Sequence, residues 1–101
     1  MRGYMNKYEW DMELRKVGGY LDGLPHELED KYRILDDGTW VVIDPNKDRL
    51  VGHVFMDTMS ERCFMVDMVR RGTNVYDHDY DYEGIVEVVK KPITVMEWVE
   101  V

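Results

Sequence analysis

The spacing of apolar side chains changes period along this chain, and each change marks an element. Between Asn6 and Val17, Trp10, Leu14 and Val17 recur at helical spacing with Met12 beside them. Asn6 suits an N-cap, and Glu9 three residues on completes a capping-box pair. Arg15 and Lys16 sit where the helix dipole favours cations, and Gly18-Gly19 ends the segment. Tyr20 to Leu24 reads as a connection. Pro25 fits the first position of a short helix, His26 to Lys31, with Glu27 and Glu29 near its start. The character of the chain then becomes that of strands. Tyr32-Arg33-Ile34-Leu35 and Thr39-Trp40-Val41-Val42-Ile43 flank Asp36-Asp37-Gly38, a pattern that predicts a hairpin. Asp44-Pro45-Asn46-Lys47-Asp48 has the composition of a second turn. Leu50 to Met56 follows as a third strand, with Gly52 inside it marking a bulge or a close approach.

Asp57 to Arg71 predicts a second substantial helix. Thr58 and Glu61 have capping-box spacing, Met59, Cys63 and Val66 fall at helical intervals, as do Phe64 and Met68, and Arg70-Arg71-Gly72 suits a helix end. The run Cys63-Phe64-Met65-Val66 also fits a buried strand, which periodicity alone does not separate from a helix. After an acidic, aromatic stretch come Ile85–Lys90 and Ile93–Val101, a Val-rich pair turning at Lys90-Lys91-Pro92. The expected fold is α+β, a small single domain over residues 1–101. Its sheet is largely antiparallel, a three-stranded meander plus a C-terminal strand pair, with two main helices on one face.

The stretch from Val75 to Gly84 carries the most distinctive pattern. Acidic residues occupy 77, 79, 81 and 83, with His78, Tyr80 and Tyr82 between them and Tyr76 before. In an extended chain, alternate side chains point to opposite sides. Asp77, Asp79, Asp81 and Glu83 then share one face, and no Lys or Arg lies between Gly72 and Gly84 to neutralise them. One reading is an edge strand whose tyrosines pack inward and whose carboxylates are solvated, a common defence against aggregation. A second is a cation site, since Asp77, Asp79 and Asp81 match the first three ligand positions of a calcium loop. That match fails further on, because Tyr82 stands where the loop needs Gly and Val88 stands where it needs Glu. The third is imitation of a nucleic-acid backbone. Residues two apart on a strand are roughly 6.6 Å apart, the same order as successive phosphates, which advance about 3.4 Å along the axis and lie further apart along their curved path.

Composition narrows the function classes. The chain has 101 residues, a formal net charge of −8 and a pI near 4.7. Long-range repulsion disfavours direct binding to nucleic acid or an anionic membrane and favours a basic partner. Met1 to Lys7 has no apolar run behind it as a signal peptide would, and no stretch approaches the roughly 20 apolar residues of a membrane span. The single cysteine, Cys63, excludes an internal disulfide framework, so a cytoplasmic location is expected.

Candidate chemistry is sparse. Cys63 is the only thiol and Ser60 the only serine, and His26, His53 and His78 fall in separate elements. Cys63 and Trp10 read as core residues. Glu29-Asp30-Lys31 has a nuclease-like Glu-x-Lys spacing, but in a helical turn rather than the strand pair that such chemistry uses. There is no phosphate-cradling glycine loop. No motif is specific enough to name a family. The expectation is a non-enzymatic protein with no cofactor and no metal. It would bind a basic, nucleic-acid-binding protein through Asp77, Asp79, Asp81 and Glu83, with Tyr82 meeting both core and partner. Compact inhibitors that phages direct against restriction or CRISPR nucleases have this general character, a likeness of type only. The alternative is a small divalent-cation-binding domain or accessory subunit.

Overall fold

The computed structural model describes residues 5–72, 79–91 and 97–101. Helix α1 spans Lys7–Lys16, and two 3₁₀ turns follow at Leu21–Gly23 and His26–Lys31. Five strands complete the fold: β1 (Tyr32–Asp44), β2 (Lys47–Asp57), β3 (Cys63–Arg71), β4 (Asp79–Lys91) and β5 (Glu97–Glu100). They form one antiparallel sheet in the order β1-β2-β3-β4-β5, curved into a half-barrel.

The start of the chain follows the sequence expectation. Asn6 caps α1 by accepting the Glu9 amide at 2.9 Å, and the Glu9 carboxylate accepts the Asn6 amide at 3.2 Å. Trp10 and Leu14 are fully buried. They pack with Phe55 of β2 and with Phe64, Val66 and Met68 of β3, and the Trp10 ring meets Phe55 edge-on at 5.3 Å. Each such large apolar side chain contributes about 1.5–3 kcal/mol when fully buried, so one helix is enough to fasten a core on that face.

The expected pair of main helices is not present: among the described residues there is one α-helix of ten residues. The segment read as the second helix is a turn followed by β3. Phe64, Val66 and Met68 point to the core, while Cys63, Met65 and Asp67 alternate with them. β3 is the central strand and pairs along both edges. Its core face is buried and its other face partly buried, yet Met65 and Val69 on that second face make the sequence read as a nearly continuous apolar run. That run also satisfies helical spacing. Long-range pairing with β2 and β4 decides for the strand.

The capping residues have other work. Thr58 Oγ1 donates to the Asp30 carbonyl at 2.9 Å. Asp57, 1% exposed, accepts Trp10 Nε1 at 2.7 Å and the Met5 amide at 3.2 Å on one oxygen, and the Met59 and Ser60 amides at 2.9 and 3.0 Å on the other. One carboxylate thus shapes the β2–β3 turn and fastens the N-terminal helix to it.

The expected hairpin at Asp36-Asp37-Gly38 is also absent. β1 runs straight through it as one strand of 13 residues. Gly38 adopts φ +76 level with Gly52, φ +72, and Asp36 Oδ1 accepts the Gly38 amide at 2.9 Å. A Cβ on Gly38 would come within 2.8 Å of His53. Asp-Gly here supplies a local twist within a long ribbon, and the chain reverses instead at Pro45-Asn46, inside the predicted second turn.

Candidate partner-binding surface

β4 carries the acidic stretch, and its pairing with β3 places each described member. Asp79 lies opposite Arg71 and Asp81 opposite Val69, so the two carboxylates share a face as expected. Asp77, Tyr76 and His78 lie outside the described residues. Glu83 leaves the row. Asp67 pairs with Gly84 and Met68 with Tyr82, so Glu83 is the extra residue of a bulge without an opposite on β3. It lines a shallow cleft of about 220 Å³ against α1, with Lys7, Tyr8, Asp11 and Arg15.

The row is also neutralised across the sheet. Arg71 Nε lies 3.1 Å from Asp81 Oδ2. Residues directly opposite one another share a face, which brings Lys47, Arg49 and Arg71 to the same side as Asp67, Asp79 and Asp81. Arg49 Nε lies 3.4 Å from Asp67. Asp44 lies opposite Lys47 on the same side, so these three cations share their face with the four carboxylates Asp44, Asp67, Asp79 and Asp81. The sequence window from Gly72 to Gly84 held no cation because the neutralising residues come from β2 and β3.

Tyr82 faces the helix. Its hydroxyl donates to Asp11 Oδ1 at 2.7 Å, and the Arg15 guanidinium lies 5.2 Å from its ring centre. Burial, reinforced by the Asp11 hydrogen bond, pushes the Tyr82 hydroxyl well above the usual tyrosine range. In this structure Tyr82 ties α1 to β4. Tyr80 is the exposed tyrosine of the strand, at 42%. It joins an aromatic group at the far end of the sheet: Tyr20 meets it edge-on at 5.6 Å, and Trp40 at 6.1 Å. Arg70 stacks over Trp40 at 4.5 Å while making a forked bond to Asp48 at 2.6 and 3.2 Å. Burial, with the neighbouring Tyr80, pushes Tyr20 up to about 12.

Unneutralised charge lies elsewhere. Residues 20–37 hold six Asp/Glu against two Lys/Arg, a net −4, which is half of the whole chain's −8. All six, Asp22, Glu27, Glu29, Asp30, Asp36 and Asp37, are exposed. Among the described residues none is ion-paired to Lys or Arg; Glu29 meets His26 at 3.1 Å. Asp37 lies opposite His53 across β1 and β2, and Asp22 lies two residues from Tyr20 of the aromatic group. The signal was present in the sequence as a running charge count, but it spans three elements and shows no alternation.

The remaining candidates are structural in placement. Cys63 is half-buried, and burial with Glu87 nearby pushes its thiol up, opposite to an activated nucleophile. His26 is exposed. Among the described residues no three His, Cys, Asp or Glu side chains converge as a metal site requires, and no helix is long and apolar enough to cross a membrane.

No curated protein and no solved structure matches the chain. The Phage T4 Y04K protein family matches it over residues 5–101, and the chain therefore belongs to that phage protein family.

Proposed function

We propose that this phage-family protein is a non-catalytic binding protein that occupies a basic, nucleic-acid-binding surface of a partner. The observation that carries the reading is the exposed charge of residues 20–37, half of the chain's excess and not ion-paired to Lys or Arg among the described residues, with Asp22 two residues from Tyr20 of the ordered aromatic cluster. Exposed carboxylates steer a basic partner, and neighbouring Tyr and Trp rings supply contact area once it arrives. Asp22, Asp36 and Asp37 are the leading contact residues. Asp79 and Asp81 join them only where a partner cation displaces Arg71.

The test is capture from a bacterial lysate, followed by competition with duplex DNA or RNA for each captured protein. Wild type should retain basic proteins that nucleic acid displaces. The variant Asp22→Asn/Asp36→Asn/Asp37→Asn should lose them, most strongly at low salt, because exposed charges are screened over about 8–10 Å near physiological ionic strength. The variant Asp79→Asn/Asp81→Asn/Glu83→Gln should lose less. Retention that is indifferent to nucleic acid, to salt and to both variants ends the reading.

A further inference from the structure

The outer edge of β1 is a long sheet edge without a strand partner among the described residues. β1 is the last strand on its side of the sheet, and among the described residues only β2 pairs with it. At 13 residues it presents an edge roughly 40 Å long. Natural edges of that length are blunted by charge, proline or bulges. β1 has a bulge at Leu35 and another at Ile43, and between them the stretch Asp36 to Val42 keeps regular register. Its second half is apolar and open to solvent: Val41 is 44% exposed, Val42 71% and Ile43 46%. Its first half carries the exposed pair Asp36-Asp37.

We infer that this edge is where the partner docks, and that it receives an extended segment bearing aliphatic residues against Val41–Ile43 and Lys or Arg against Asp36-Asp37. An added strand gains affinity from main-chain hydrogen bonds and specificity from alternate side chains. Charge complementarity selects the occupant. A second copy of this chain centred on the Asp36-Asp37 end would set carboxylates against carboxylates, and each copy carries −8. A basic segment meets the same edge with attraction along it. The inference rests on the proposed function and specifies how the partner is held.

The probe is a short peptide of alternating Val and Lys, compared with a Val/Glu peptide and with a backbone N-methylated Val/Lys peptide. Binding is read by fluorescence anisotropy and by amide hydrogen exchange. The Val/Lys peptide should bind and slow exchange of amides within Asp36–Asp44, and the other two should bind at least about tenfold more weakly, a loss of about 1.4 kcal/mol. Val42→Lys should weaken Val/Lys binding by a similar factor, Ile43→Lys should do the same should the first variant fold poorly, and Val42→Thr should change little. The inference is overturned by no Val/Lys binding, by equal binding of the N-methylated peptide, or by protection outside β1. A protein mass that doubles with concentration and falls in Val42→Lys assigns the edge to a second copy instead. If captured partners survive Val42→Lys but not Asp22→Asn/Asp36→Asn/Asp37→Asn, the edge inference fails while the proposed function stands.

Discussion

His53 shows how single side chains in this protein are governed by competing neighbours. Burial lowers its pKa below the ordinary 6.5, against the pull of Asp37, Asp36 and Asp22, and its Nε2 has no partner among the described residues. Because the folded value lies below the unfolded one, the neutral ring stabilises the fold above pH 6.5. That contribution is lost as pH falls through the folded value. Denaturant unfolding between about pH 7.5 and 5 should therefore show a loss of stability that is shallower in His53→Gln. Equal slopes in the two proteins would mean that the ring is hydrated in the fold. At this scale the sequence was legible where partners are local. The Asn6–Glu9 cap and buried Trp10 could be read directly. The Asp81–Arg71 pair could not, since ten residues and a strand reversal separate its members.

Between elements, the decisive residue is Asp57. It was invisible as a hub because its four donors come from the N-terminal segment, α1 and the turn after β2. Asp57→Ala leaves those donors without an acceptor and should cost roughly 3 kcal/mol or more, since each buried, unsatisfied group costs about 1–3 kcal/mol. Asp57→Asn keeps one carbonyl oxygen and should cost less. Urea midpoints of the two variants decide it, and a nearly silent Asp57→Ala would mean that water replaces the carboxylate. The misread helix over 57–71 has the same origin. Burial alternates along β3, but Cys63, Met65 and Val69 put apolar residues on its second face as well, so no polar alternation showed and Thr58, Glu61, Arg70 and Arg71 satisfied helix rules by spacing alone. Bulges are the other feature hidden from the sequence. The alternation at 79–83 promised one row, and the extra residue at Glu83 takes it out of line.

For the molecule as a whole, net charge was legible and its layout was not. Half of the −8 excess lies where two 3₁₀ turns lead into β1, while in the acidic run on β4 Asp81 is paired by Arg71 of the neighbouring strand. The order of the sheet has a kinetic consequence. Each strand pairs with the strand made just before it, so the ribbon can zip along the chain one hairpin at a time, which keeps its contact order below that of a sheet with crossovers. The bond from Tyr82 to Asp11 is different, for it joins residues 71 apart. Closing that long loop is entropically costly, so we expect the bond to form late in assembly. Tyr82→Phe should speed unfolding and leave the folding rate nearly unchanged in stopped-flow experiments. An equal effect on both rates would place the contact in the folding nucleus. α1 precedes β4 along the chain, so a growing chain holds the helix before its clasp exists. A latch of this kind keeps the finished protein closed without being needed to start it, if Tyr82→Phe changes the unfolding rate alone.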